Sequence, residues 1–222
     1  MVSNRPGQRV RACSTRVRSI RLLPSGTVLV GWLIVSGAAP LACELPARPG
    51  TESHLRFRLD PHESGIRFDA DAKLHTFAGT AGKLSGQVRL AKASPPDEAA
   101  ACLEIEAASL TTGIDLRDER MRKRHLETDR FPIILFTLSG LGRIEPVSGD
   151  RYSVILDCTL MLHGVSRPLT AQAIAHLSST SLEVEGKVPL RLSAFQIPIP
   201  SFLFISMEDE VVVSFKVKAV RE

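Results

Sequence analysis

The sequence predicts an all-β protein whose strands close into an antiparallel barrel of about eight strands. Three observations carry this. Apolar and polar residues alternate with a period of two from Leu55 almost to the C-terminus. Turn signals such as SPPDE, SGDR, HGVSRP and LSSTS punctuate the alternation. No gap between the alternating segments holds a helix long enough for a parallel crossover. Strands with one apolar and one polar face suit a closed barrel, which also removes exposed edges. A two-sheet sandwich satisfies the same pattern and stands as the second architecture.

Residues 1–42 read as a secretory signal peptide. Arg5, Arg9, Arg11, Arg16, Arg18 and Arg21 form a positive start, and the apolar stretch from Leu22 to Ala42 ends in small residues. The alternative is a retained membrane anchor, but Pro24, Ser25 and Gly26 break the run and leave about 16 residues where a span needs about 20. Cys43 follows Leu41-Ala42 as the lipid-bearing cysteine of a lipoprotein would, although Pro40 stands where that signal has Leu. The expected location is periplasmic or secreted, either free or lipid-anchored through Cys43, with residues 43–54 as a flexible leader and 55–222 as one domain.

Removing the six leading arginines turns the formal charge of +4 into −2 for residues 43 to 222. A slightly acidic domain argues against nucleic acid as the partner, because phosphate binding is driven by Lys and Arg displacing counterions. Hydrophobic residues make up 44% of the chain but aromatic ones only 5%, so Leu, Ile, Val and Ala must fill the interior.

In chain order, the half-buried strands are carried by Leu55, Phe57 and Leu59; by Ile66, Phe68, Ala70 and Ala72; by Leu84, Gly86, Val88 and Leu90; and by Leu103, Ile105 and Ala107. Further strands follow at Ile134 to Leu138, Tyr152 to Leu162, Ala171 to Leu177, Leu182 to Leu190 and Val211 to Ala219, nine in all. Alternation puts Cys102 and Cys158 on opposite faces of their strands, which favours two separate thiols over a bridge.

Between the fourth and fifth strands lies the densely charged SLTTGIDLRDERMRKRHLETDRFPIILF. Leu116, Met121 and Leu126 are five apart, so at 100° per residue they do not form one helical stripe. A short helical segment near residues 115–128, packed by Met121 and Leu126 at the barrel end, is expected instead. The His163-Gly164 pair reads as a tight turn, with Gly164 free to take a positive φ and Pro168 at an edge position.

Catalytic and metal signals are weak. The six histidines form no HExxH or HxH pattern, there is no GxSxG, and AGTAGKLSG precedes no helix that could bind phosphate. Asp118, His125 and Glu127 are the one cluster a hydrolase or isomerase would use, but flanking Arg and Lys residues more simply make a salt-bridged surface. The inner face, by contrast, is unusual: Ala70, Ala72, Gly86, Ala107, Ala171, Ala173 and Gly186 are small where a solid barrel needs bulk. Either they accommodate taper, or they leave room for an apolar guest.

Four stretches, FRLDPHESGIRF, the charged segment above, LMLHGVSRPL and MEDEVVVSFKVKA, together resemble the YceI-like family of bacterial extracytoplasmic proteins over roughly residues 55 to 220. The family's Asp-Phe-Gly-Ile region is altered here, with Ala194 for the acid and Gln196 for the glycine. The resemblance implies a lipocalin-like barrel that holds a polyisoprenoid or other long-chain lipid and makes no covalent change to it. It implies no cofactor, no metal and no catalytic residue. It places Phe68, Leu84, Val88, Ile105, Phe136, Leu160, Val213 and Phe215 along the channel. Arg117, Asp118, Met121, Arg122, Leu126, His163, Phe195 and Phe202 fall at its mouth, where a cationic rim could meet a polar or phosphorylated head. Transient membrane contact and a homodimer are compatible with such a carrier. A structural or stress-related interaction module with a filled barrel is the competing function.

Overall fold

A computed structural model describes residues 43, 45, 54–72, 75–92, 96–202 and 205–222, without the side chains of residues 75 and 201–206. The signal peptide expected at 1–42 and most of the 43–54 leader lie outside the described residues.

The elements are β1 (His54–Leu59), β2 (Gly65–Ala72), β3 (His75–Ala81), β4 (Leu84–Ala91), β5 (Ala99–Glu106), β6 (Leu110–Thr111), the short helix α1 (Asp115–Arg120), β7 (Ile133–Ser148), β8 (Arg151–Leu162), β9 (Val165–Leu177), β10 (Ser181–Arg191), β11 (Ser201–Phe202) and β12 (Ile205–Arg221). All pairings are antiparallel, and they run β1-β4-β5-β7-β8-β9-β10-β12 before β12 returns to β1 through Phe57–Arg221 and Leu59–Ala219. The wall is therefore a closed eight-stranded barrel, and the sandwich does not occur.

The register explains why eleven of the twelve strands make eight staves, with β11 pairing only with β12. β12 pairs with β1 at its C-terminal end and with β2 from Lys216 back to Val211, so β1 and β2 lie end to end along one edge. β4 and β3 follow them on the next stave, β5 and β6 on the one after. Each of the three staves is interrupted once. At the β1–β2 interruption the Asp60 N–H donates to the Lys218 carbonyl at 2.8 Å, and Ser64 Oγ accepts the Lys218 N–H at 3.0 Å. At the β3–β4 interruption Ser109 Oγ accepts the N–H groups of Gly82 and Lys83 at 3.2 and 3.1 Å. The backbone donors freed by broken pairing thus find replacement acceptors.

β3 was not among the expected strands. Its inward positions include Phe77, Gly79 and Ala81, and a Cβ on Gly79 would overlap the Phe68 ring, so the strand must be small at the position where alternation would show a large apolar residue. β7 runs ten residues beyond the expected Leu138, because register shifts after Leu138, Leu141 and Pro146 dislocate the period of two.

The β8–β9 hairpin turns through His163 (φ 53°) and Gly164 (φ 73°) between the paired Leu162 and Val165. Two positive φ values make the two-residue turn whose twist matches the strands, and Gly164 also gives the Phe131 ring its space. Pro168 pairs with Thr159 on one side only, since β10 joins β9 from Gln172 onward. Its missing N–H therefore costs no ladder bond.

Cys43 is bonded to Cys102, with a Cα–Cα distance of 5.7 Å. Cys102 faces outward between inward Ala101 and Leu103, so the bond pins residue 43 to the outside of the wall. This bond and a lipid thioether at Cys43 exclude each other, since a sulfur in a disulfide has no valence left for the lipid. Cys158 is a free, buried thiol, so the separation of Cys102 from Cys158 holds.

Outward positions carry Arg56, Arg58, Arg67, Glu185, Lys187 and Lys216, all exposed. The wall is thus apolar inside and charged outside, the reverse of a lipid-embedded barrel. No helix among the described residues is long and apolar enough to cross a membrane.

Candidate functional site

The barrel is hollow. Its cavity of about 680 Å³ is lined almost wholly by aliphatic and aromatic side chains, a size typical of sites that take small apolar ligands. On β8 it is bounded from Tyr152 through Val154, Leu156 and Leu160 to Leu162. Ten residue steps at about 3.3 Å give roughly 33 Å of strand, so the space is long and narrow.

Of the expected channel residues, Phe68, Val88, Ile105, Phe136, Leu160, Val213 and Phe215 line this cavity. Leu84 does not; it is buried in the core beside the β3–β4 interruption. The small residues divide in the same way. Ala70, Ala72 and Ala171 border the void, while Ala107 and Ala173 are buried away from it. A Cβ on Gly186 would lie 2.7 Å from the Phe215 ring and 2.7 Å from the Gln172 carbonyl, and one on Gly86 would lie 2.5 Å from the Cys102 carbonyl. Those two glycines permit close packing and leave no space. Leu103, Leu138, Tyr152, Leu156 and Val217 also line the cavity. They occupy the same alternating positions as the residues named from sequence, so the signal for them was present; Ile197, in a loop, carried none.

At one end of the barrel the lining becomes polar, through Thr112, Arg117, Arg120 and His125. α1 and a π-helical turn over Met121–His125 border this end. The wider turn is visible in the Leu126 N–H donating to the Met121 carbonyl at 2.8 Å, an i→i+5 bond. It brings residues five apart closer to one face than an α-helix would. Met121 and Leu126 accordingly both reach the cavity, which accounts for their spacing in the sequence.

The helix is tied to the wall by Asp118. Its buried carboxylate accepts the Thr111 hydroxyl at 2.5 Å, the Thr112 hydroxyl at 2.5 Å and the Thr112 N–H at 2.8 Å. Burial pushes this carboxyl up, but the hydrogen bonds from Thr111 and Thr112 and the Arg122 charge outweigh it and hold it below the usual carboxylate range. Arg117 donates through Nε to Thr112 Oγ1 at 2.6 Å and to the Thr112 carbonyl at 3.0 Å, with its guanidinium 4.6 Å from the Phe77 ring centroid. Arg122 donates to the Leu110 carbonyl at 3.4 Å. Arg117, Met121 and Leu126 therefore rim the cavity, whereas Asp118 and Arg122 lie behind the rim and brace it.

His163 and Phe195 do not reach the cavity either. His163 Nδ1 lies 3.2 Å from the Phe195 carbonyl, and its ring meets Phe131 edge-on at 4.6 Å. The turn geometry thus places them in the packing beneath the end loops. Phe202 has its side chain outside the described residues. Gln196, standing where the resembled family has glycine, takes φ 57°. The left-handed conformation that glycine favours is kept without glycine.

The three groups a hydrolase would use have separate partners. Asp118 is committed to Thr111 and Thr112, His125 Nδ1 lies 2.8 Å from the Pro198 carbonyl, and Glu127 is 3.5 Å from both Arg130 and His163. No hydrogen bond or ion pair among the described residues joins them, and a carboxyl held low is a poor proton shuttle at neutral pH. Burial, then the Asp157 charge, pushes the Cys158 thiol up to about 12, which keeps it un-ionised and unreactive. No group of three potential metal ligands occurs among the described residues.

The family model described as the YceI-like domain matches residues 57–219. Comparison with curated proteins gives no match. Among solved structures, the barrel resembles a polyisoprenoid binding domain from Saccharophagus degradans implicated in plant cell wall breakdown, at TM-score 0.61 and 22% identity, covering 76% of this chain and 99% of that one. It also resembles BcnA of Burkholderia cenocepacia, at TM-score 0.61 and 20% identity, covering 72% of this chain and 98% of that one. At these identities the likeness establishes the fold.

Proposed function

This chain belongs to the YceI-like family, and on that premise we propose that it is a non-enzymatic extracytoplasmic binding protein that carries one isoprenoid or similar long-chain lipid inside its barrel. The observation that carries the reading is the long apolar cavity. At about 24 cal/mol per Å³, an empty void of this size would cost roughly 16 kcal/mol, as much as the whole stability of a typical domain, ~5–15 kcal/mol. That cost favours an occupant. Water finds few hydrogen-bond partners against such a lining, whereas a slender hydrocarbon chain replaces the missing dispersion contacts.

The polar end supports an orientation for the guest. The chain runs along the barrel, and its head sits at the mouth beside Thr112, Arg117, Arg120 and His125. The binding domain of Saccharophagus degradans, whose description names polyisoprenoid as its ligand, is consistent with this choice of lipid. The disulfide supports an oxidising compartment, periplasmic or secreted.

A chain-length series tests the proposal. Isoprenoid alcohols of increasing length, titrated into delipidated protein, are expected to gain affinity with each added unit, at about 0.8 kcal/mol per buried methylene as an upper figure, and then to plateau once the channel is filled. Affinity independent of length would place the ligand outside the channel and defeat the reading.

A further inference from the structure

We propose that the end of the barrel bordered by α1 is a docking face for the surface of an anionic phospholipid bilayer, so that the cavity opens against the membrane. The inference rests on the carrier reading for its purpose, but on different atoms for its evidence. Ile114 and Leu116 are 54% and 61% exposed, yet both also border the cavity. Ile199, 39% exposed, stands between Pro198, which meets His125, and Pro200, which lines the cavity. The apolar lining is therefore continuous with exposed aliphatic side chains at this mouth. The other exposed large hydrophobics among the described residues, Val147, Val212 and Val220, lie on β7 and β12.

Charge identifies the partner. Residues 115 to 125 carry Arg117, Arg120, Arg122, Lys123 and Arg124 against Asp115, Asp118 and Glu119. Asp118 is buried, and Glu119 is joined to Lys123 at 2.8 Å. Arg120 and Arg124 are exposed, with no hydrogen-bond or ion-pair partner among the described residues. Asp115 is the exposed counter-charge on α1, with Asp129 following the turn. Aliphatic side chains flanked by unpaired guanidinium groups match an interface where acyl chains lie just below anionic phosphates. A protein partner would match the aliphatic residues equally well but gives no reason for unpaired cations beside an apolar opening. A bilayer supplies both, and supplies the guest.

Protein purified from its own host, with the processing the host gives it, is mixed with vesicles of phosphatidylglycerol and phosphatidylethanolamine or of phosphatidylcholine alone, and partitioning is read by co-sedimentation. Preferential binding to the anionic vesicles, weakened by salt, is expected. Ile114→Ser with Leu116→Ser should lower that partitioning on the order of tenfold, and Lys123→Glu with Arg124→Glu, neither of which lines the cavity, should abolish the preference for anionic lipid. All four positions are exposed, and unchanged thermal unfolding would show that the variants fold. Full binding retained by both variants, whether through the segment ahead of residue 43 or another face, overturns the proposal, as does binding to neither vesicle. The chain-length series in vesicle-free solution reports on the cavity alone, so failure of docking and failure of the carrier reading are distinguishable.

Discussion

Ala171→Trp is expected to deplete the barrel of lipid while leaving it folded. Ala171 lies midway along β9, pairs with Leu156 and borders the cavity. An indole there projects into the narrow bore, and a long chain can pass only by displacing it or the opposite wall. Overpacking of this kind costs about 1–3 kcal/mol, which corresponds to roughly 5- to 150-fold in affinity. The free protein has open space to receive the ring, so its stability should change little or rise. Val212→Trp, on the exposed outer face of β12, is the matched control. Equal lipid content in the two variants would mean that the guest does not thread the barrel.

The second large effect concerns the Cys43–Cys102 bond, which closes a loop with a sequence separation of 59. In the chain-entropy account a loop of that length is worth about 4 kcal/mol, a large share of a domain's stability. Cys102→Ala should therefore lower the guanidinium midpoint substantially. Lipid binding should persist, since the Cys102 side chain points away from the cavity. Alkylation of denatured, unreduced protein is expected to label Cys158 and to leave Cys43 and Cys102 unlabelled. A Cys43 peptide carrying a lipid mass, or an alkylated Cys43, would refute the bond.

The barrel was legible in the sequence because its regular staves state their own geometry. From Tyr152 to Leu162 and from Val211 to Ala219 every second residue is apolar and every one of those faces inward, so periodicity alone gave strand and face. The pattern failed where sterics or register overrode it. Gly79 must be small to receive Phe68, which hid β3. Three register shifts in β7 hid its second half. The interruption between β1 and β2 made one stave look like two, which is why nine expected strands form eight.

The site was legible in part for a related reason. Alternation tells which side chains point inward, but not what stands opposite them across the axis. Gly86 and Gly186 suggested empty volume, yet a neighbouring backbone carbonyl and, at Gly186, the Phe215 ring leave no room there. Leu84, His163 and Phe195 belong to the packing behind the cavity, a matter of height along the barrel that spacing does not encode. The partner of Cys102 lay in the leader, outside any strand pattern. The five-residue spacing of Met121 and Leu126 was readable as non-α-helical, and the π-helical turn supplies its cause.

The measurement that tests the central claim most directly is native mass spectrometry of protein purified from its own host, before and after organic extraction. The account predicts one long-chain, isoprenoid-like lipid per protein, released by the solvent and depleted in the Ala171→Trp variant. Protein that arrives with no lipid, and takes up none from its own membrane extract, would contradict it.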